Sequence, residues 1–513
     1  MANSKDFLLL DCTLRDGGYY TNWDFPETIV KDYLEAMNKL PIDYIELGYR
    51  SNKNSSYAGA FFYLPQSLLN FCKQISTKKL AIILNEKEVT VTEVSKLLEP
   101  CKNIISMVRL AVAPENFNRA IGLARKVKEL GFEVAFNMMY ASKWEDGFYS
   151  NEILKELNNV TNYFYVVDSY GGLFPEEVEK IISNLRKNID IPIGFHGHNN
   201  LEMALINSWT ALQAGATIID ATVTGMGRGA GNCKTELLLT LLNKKKHLEV
   251  DFDVLNEATQ SFLELHKKYK WGTNLPYMVS GAFSVPQNEV ITKVNKRFFS
   301  LTSIVDEVSG NKYLDAKQEF KEFKPSDAAN TALIIGGGET PSKYADGLVE
   351  FLKENPEIIL IFSSSRNVGT FKDLHNVQIH CLSGREGKRL EKNLKKTILQ
   401  KHKFVIPPSE VFKNNYIIPE TVPYVFQIKS FAKISSVMES STALAVEIAL
   451  RFSPEKILLT GYDGYEESVT QQELELFQEN QKIFDLLKFD NLAPVSLTPT
   501  LYTVETTSIY SLI

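Results

Sequence analysis

"YFYVVDSYGGLFPEEVEKIISNLRKNIDIPIGFHGHNN" (163–200) contains one complete structural unit, with candidate chemistry at its end. The run 163–169 is aromatic and β-branched and reads as a buried strand. Pro175 opens an amphipathic stretch over 175–189, and proline fits the first turn of a helix, where its missing N–H leaves no bond unmade. A second short apolar run, 191–198, follows. Strand, helix, strand at this spacing predicts a parallel pair joined by a crossover helix.

The alternation extends in both directions. Strand candidates lie at 7–13, 44–49, 80–85, 105–113, 132–139, 163–169, 191–198 and 217–223. Two helical stretches between them, "PETIVKDYLEAMNKL" and "PENFNRAIGLARKVKELG", also begin with proline, and Gly131 stands where a helix C-terminal cap is expected. Strands alternating with helices in this way predict a closed (β/α)8 TIM barrel rather than an open sheet. The pattern stops near residue 250. The expected organisation is a barrel over 1–250, a helical extension over 251–304, a charged linker over 305–329 and a second, Rossmann-like α/β domain over 330–513. The fold class is α/β throughout.

Composition narrows the function classes. The 513 residues carry a net charge of −6, against the concentrated basic face that nucleic acid or an anionic membrane needs. The five cysteines are scattered and form no CxxC pair, as suits reduced thiols. "MANSKDF" has no apolar leader and no apolar run approaches a membrane span, so a soluble cytoplasmic protein is expected.

In "GFHGHNN", His196 and His198 are two apart on a predicted strand, so both point to one face, the barrel interior. Asp16 stands at the matching end of strand one. Strands one and seven of a closed barrel are separated only by strand eight, so they lie ~10 Å apart. Inward side chains with metal-ligand bonds of ~2.1 Å span that gap around one divalent ion. One carboxylate and two imidazoles leave open positions, as a catalytic metal site requires. Arg15 is next to Asp16 and would face the opposite way on a regular strand, so a backbone turn is expected there, with Gly17 and Gly18 permitting it.

"TLRDGG", "ELGYR", "DSYGG", "HGHNN" and "GMGRGAGN", in this order over residues 7–290, resemble the DRE-TIM metallolyases, and among them the 4-hydroxy-2-oxoacid aldolases and aldolase-like proteins of surface-polysaccharide gene clusters. The resemblance implies that Asp16, His196 and His198 bind Mn²⁺ or Mg²⁺, with Asn232 joining the metal shell as in some lyases of the family. It implies that Arg15 stabilises an enolate oxygen as a carbon–carbon bond breaks or forms beside a ketone. Glu46 is expected to orient Arg15, or to form a plain buried ion pair with it. Arg109 and Asn137 fall at the rims of strands four and five. Asp168 and Ser169 either meet the substrate carboxylate or form the turn into the Pro175 helix. Asn199 and Asn200 are read as helix caps, and Cys233 as packing.

The chain departs from the oxovalerate aldolases at one position. Where those enzymes carry a general-base histidine shortly after RDG, this chain has Tyr19. Either Tyr19 or a metal-bound water moves the proton, or Tyr19 and Tyr20 only line the pocket. Tyr277 loosely matches a tyrosine that the aldolases bring in from their helical extension. In the second domain, Gly336, Gly337 and Gly338 end a strand in a turn that can cradle a phosphate, and Asp463 ends another.

The expected function is a divalent-metal-dependent aldolase, a carbon–carbon lyase joining or splitting a 2-oxoacid such as pyruvate and an aldehyde, in a homo-oligomer, a dimer. The alternatives are a Claisen-type acyl-CoA synthase on the same barrel and a non-catalytic nucleotide- or sugar-binding protein.

Overall fold

The computed structural model describes residues 6–144, 151–310, 320–325, 327–408, 417–420, 422, 424–431, 437–466 and 470–513. The chain divides into two units, 1–287 and 288–513.

The first unit is the barrel. Its strands are β1 (Leu8–Asp11), β2 (Tyr44–Tyr49), β3 (Lys79–Asn85), β4 (Ile105–Val112), β5 (Glu133–Met138), β6 (Tyr163–Asp168), β7 (Ile193–Gly197) and β8 (Ile218–Ala221). All pair in parallel and in sequence order, and β8 closes on β1 through Leu8–Ile218 to Asp11–Ala221. Outward strand residues such as Leu9, Ile82, Val108 and Phe164 are buried under the surrounding helices. A second apolar group, including Leu10, Tyr44, Met107 and Tyr165, fills the lower barrel interior.

The first strand is shorter than its apolar run suggests. It ends at Asp11, and Thr13–Thr21 is already helix. The Asp11 carboxylate causes this locally by accepting from the Thr13 N–H (2.9 Å) at the helix start. It also accepts from Tyr33 (2.6 Å) and Thr235 (2.6 Å), tying the strand end to two outer helices. The turn expected at Gly17 and Gly18 is therefore helical backbone. Both glycines are needed for close approach instead, since a Cβ would stand 2.6 Å from Met226 Sδ at position 17 and 2.1 Å from the Trp23 indole at 18.

The second unit is one parallel sheet. Its strands are β9 (Lys321–Glu322), β10 (Thr331–Ile335), β11 (Ile359–Phe362), β12 (Gln378–Cys381), β13 (Lys403–Ile406), β14 (Val425–Gln427), β15 (Lys456–Thr460), β16 (Val495–Ser496) and β17 (Glu505–Thr506). They lie in the order β17-β16-β15-β10-β11-β12-β13-β14-β9. The order reverses between β10 and β15, the doubly wound arrangement in which a crevice opens at the carboxyl ends of those strands.

The unit boundary does not follow the composition. Residues 288–304 group with the second unit, where Lys296 pairs with Glu439 and the Asn295 carbonyl accepts from Gln472 (3.1 Å). The helix Leu301–Val308 runs from the expected extension into the expected linker, and within that linker Lys321–Glu322 is the edge strand beside β14. Residues 311–319 of that linker lie outside the described residues.

His380 on β12 is buried, stacked on Phe362 (4.6 Å) and Phe404 (5.4 Å), with Nδ1 lacking a partner among the described residues and Nε2 2.9 Å from His402 Nδ1. Burial pushes its pKa well below the usual histidine value, and that of His402 down to about 4. Both groups are then neutral in the folded state and take up protons more readily unfolded. Their contribution is intact above pH ~6.5 and is lost as the pH falls towards the folded values, at ~1.4 kcal/mol per pH unit for each proton. Calorimetry between pH 7.5 and 5 is expected to show the second unit losing stability, with His380→Phe flattening the slope. A slope unchanged by that substitution would refute the assignment. The four tryptophans, Trp23, Trp144, Trp209 and Trp271, all lie in the barrel unit, so their fluorescence serves as the internal control.

Candidate active site at the carboxyl end of the barrel

Six buried side chains from four strands and the first helix close a ring at the upper barrel interior. Arg15 Nη1 donates to Asp16 (2.6 Å) and Nε to Glu46 Oε2 (2.8 Å). The same Glu46 oxygen accepts from Arg109 Nη1 (2.9 Å), and Arg109 Nη2 donates to Asp220 Oδ2 (2.5 Å). Asp220 Oδ2 is 2.9 Å from His196 Nδ1, and His196 Nε2 is 3.5 Å from Asp16 Oδ2. Charges alternate around this circuit, which is what makes burial of several ionised groups affordable.

The ring fixes how each group presents itself. Burial alone would raise the Asp16 carboxyl, but Arg15 outweighs it and, with the histidines, holds it well below the usual carboxylate range. Burial pushes His198 down to about 3 despite the pull of Asp16, so its imidazole is neutral with a free lone pair. For His196, burial lowers the pKa, but hydrogen bonds to Asp16 and Asp220 outweigh it and raise the value above that of a free histidine. Asp220 engages Nδ1, which leaves Nε2 to face Asp16 and the pocket.

These residues suit a divalent cation. Asp16 is anionic, the His196 and His198 rings are 5.1 Å apart, and Asn232 donates its amide to Asp16 while its buried Oδ1 has no partner among the described residues. An orphaned carbonyl oxygen beside a carboxylate and two imidazoles is a donor set that suits a divalent cation with open positions. Cys12, Asp16 and His196 also offer donor atoms within 4.8 Å of one another. Burial holds the Cys12 thiol in its protonated form, however, and it donates to the Ala221 carbonyl (3.5 Å).

Above the ring is an open pocket. Arg15, Asp16, Tyr19, Asn137, Ser169, His196 and His198, all named from the sequence, line it together with Tyr49, Tyr140 and Arg228, which were not singled out there. Arg15 is 7% exposed, and its Nη2 has no protein partner among the described residues. Tyr19 is 42% exposed, its hydroxyl 3.0 Å from that of Tyr49. Tyr140 has a left-handed backbone (φ 61°), held by its N–H donating to Ser169 Oγ (2.9 Å).

Other expected residues stand elsewhere. Arg109 is fully buried beneath the pocket and, being committed to Glu46 and Asp220, does not reach it. The Asp168 carboxylate turns away to accept the Gly172 and Leu173 N–H groups (3.1 and 3.2 Å), forming the turn into the Pro175 helix, and burial lifts its pKa to about 6. Tyr277, in helix Leu275–Ala282, is engaged with Tyr20 rather than the pocket. Asn199 Oδ1 accepts from Ala204 at the next helix start, whereas Asn200 donates to the Tyr277 carbonyl (3.0 Å). Cys233 is buried. The "GMGRGAGN" loop is pinned, with Tyr20 donating to the Gly229 carbonyl (2.7 Å) and the Asn199 N–H to that of Gly231 (2.8 Å).

In the second unit, Asp463 accepts from Glu339 N (2.6 Å), Thr340 N (3.0 Å) and Thr340 Oγ1 (2.5 Å). Gly336 and Gly338 N–H groups bond the Thr460 and Gly461 carbonyls (both 2.8 Å). The chain's own carboxylate thus takes the donors that a phosphate was expected to meet after Gly336–Gly338.

Fold and site together define a lyase-type barrel: residues 6–262 match the HMGL-like family, and the chain belongs to it. It is a metal-dependent lyase. It is 31% identical over 255 residues to 4-hydroxy-2-oxovalerate aldolase of Geobacillus thermodenitrificans, covering 48% of this chain and 71% of the relative. It is 26% identical over 285 residues to oxaloacetate decarboxylase of Mycobacterium tuberculosis, covering 55% and 83%. The N-terminal domain of a candidate aldolase from Bacteroides vulgatus superposes with a TM-score of 0.57 at 52% identity, covering 58% of this chain and 99% of that one. Among the described residues, no helix is long and apolar enough to cross a membrane.

Proposed function

We propose that the barrel catalyses reversible cleavage of a 4-hydroxy-2-oxoacid to pyruvate, or a related 2-oxoacid, and an aldehyde. The observation that carries this is the unengaged Nη2 of Arg15 beside Asp16, His196 and His198 on one pocket floor, with Asn232 bonded to Asp16. Bound there, Mn²⁺ or Mg²⁺ supplies Lewis acidity to the 2-oxo group. In cleavage the proton leaves the 4-hydroxyl, the C3–C4 bond breaks, and its electron pair becomes the enolate of the 2-oxoacid. Arg15 Nη2 donates to the oxygen on which that charge develops, held in place by Glu46 through Nε and Asp16 through Nη1. Asp220 keeps His196 Nε2 turned to the pocket. The Tyr19 hydroxyl, backed by Tyr49, is the group placed to exchange the proton of the 4-hydroxyl.

A second reading, decarboxylation of a 2-oxo-dicarboxylate, forms the same enolate with CO₂ as the leaving fragment. It is favoured by tyrosine in place of the expected histidine, because loss of CO₂ needs no base at a hydroxyl. A sugar-derived aldehyde of surface-polysaccharide synthesis is the natural partner on the first reading.

The test is deuterium exchange at the pyruvate methyl group, together with pyruvate release from 4-hydroxy-2-oxoacids. Both are expected to vanish with chelator and return with Mn²⁺, and metal-independent turnover would refute the proposal. Tyr19→Phe is expected to lower aldol turnover by about 10²-fold while metal affinity is kept. Full activity in that variant would make the tyrosine a wall and favour the decarboxylation reading.

A further inference from the structure

The pocket has a second arginine that the reaction above does not use. Arg228 is half-buried at the mouth, on the pinned glycine loop, with its guanidinium 5.9 Å from the Tyr19 ring. Unlike Arg15 and Arg109, that guanidinium forms no ion pair or hydrogen bond with any described residue. Its loop is nonetheless held in position. Gly225, Gly229 and Gly231 carry φ values of 69°, 65° and 82°, a backbone that favours glycine, and the Tyr20 hydroxyl and Asn199 N–H fix the Gly229 and Gly231 carbonyls that follow Arg228. A preorganised, unpaired cation at a pocket rim is a binding group for an anion.

We infer that Arg228 selects an aldehyde bearing its own anionic group, a carboxylate or a phosphate, as the second reactant. This rests on the aldolase reading and names its substrate class. Position decides which reactant it meets. Arg15 and the metal-ligand residues are at the floor, where the 2-oxoacid is held, and Arg15 is 7% exposed. Tyr19, the group assigned to the 4-hydroxyl derived from the aldehyde carbonyl, is 42% exposed at the mouth, and Arg228 stands over its ring. The far end of the aldehyde therefore points towards Arg228. Ile83, Ala111 and Val167 line the pocket without offering a charge, so among the described residues lining the mouth an anionic tail has Arg228 as its cationic partner.

The experiment compares succinic semialdehyde, glyceraldehyde 3-phosphate and neutral propanal as acceptors for pyruvate, in the full chain with Mn²⁺ and in Arg228→Gln. The wild type is expected to prefer an acidic aldehyde, with the carboxylate and phosphate arms identifying which. In R228Q, kcat/KM for that aldehyde is expected to fall by about 10- to 100-fold, mostly through KM, while propanal changes less than about threefold. R228K is expected to recover part of the loss. Pyruvate methyl exchange without aldehyde should keep its KM. A raised pyruvate KM in exchange, an equal loss for acidic and neutral aldehydes, or a wild-type preference for propanal would each overturn the inference. If the wild type shows no pyruvate exchange, the aldolase reading fails. The anion site is then judged by calorimetry with succinate and glycerol 3-phosphate, where equal binding to wild type and R228Q overturns it and loss in R228Q upholds it.

Discussion

Arg109→Met is expected to destabilise the barrel by about 3–5 kcal/mol, although the side chain touches neither solvent nor the pocket. Its guanidinium lies between Glu46 and Asp220, both buried, and over the Tyr165 ring at 4.4 Å. Removing it leaves two carboxylates without their shared cation, in a region where Glu46 Oε1 and Asp220 Oδ1 already lack partners among the described residues. At least one must then take up a proton or unfold the strands around it. Urea unfolding followed by tryptophan fluorescence, which reports this unit alone, measures the loss. The triple variant Arg109→Met, Glu46→Gln, Asp220→Asn removes the unmatched charges and is expected to regain a substantial part of it. A single variant within about 1 kcal/mol of wild type would show that the buried ring adds little.

The second large effect separates neighbours in sequence. Arg15→Ala is expected to reduce pyruvate exchange and aldol turnover by about 10²–10³-fold, the cost of losing one preorganised donor to a developing oxyanion, while Mn²⁺ binding persists. Asp16→Asn is expected to abolish turnover by another route, weakening Mn²⁺ affinity by at least about 100-fold, because a neutral amide replaces the one anionic ligand among neutral donors. Mn²⁺ titration by electron paramagnetic resonance distinguishes the two. Metal loss in both variants, or in neither, would contradict the separate roles given to Arg15 and Asp16.

Much of this was legible in the sequence, for reasons that also mark its limits. Parallel barrel strands are buried on both faces, so they appear as apolar runs, and the prolines at 26, 114 and 175 punctuate the elements that follow them. His196 and His198 stood out because a two-residue spacing has one meaning on a strand. The backbone at Arg15 and Asp16 did not, because the helix start depends on Asp11 finding Tyr33 and Thr235 far along the chain. Asp220 was missed for the same reason: a lone aspartate in "TIIDATV" gives no sign of its partners at 109 and 196. Arg109 was placed near the correct rim, but pairing with Glu46 and Asp220 keeps it beneath the pocket, whereas Asp168 takes the second of its two expected roles, the turn into the Pro175 helix. In the second unit, "LIIGGGE" resembled a phosphate cradle, and only the fold brings Asp463 across to occupy it.

The ring of alternating charges also constrains how this barrel can evolve. Each member has two neighbours of the ring, so a substitution at one position changes the effect of substitutions at the next, and their costs do not add. A lineage exchanging Glu46, Arg109 or Asp220 singly would pass through an intermediate with an unmatched buried charge. New specificity is more accessible at the mouth, where Arg228 and Tyr19 can vary without entering that circuit.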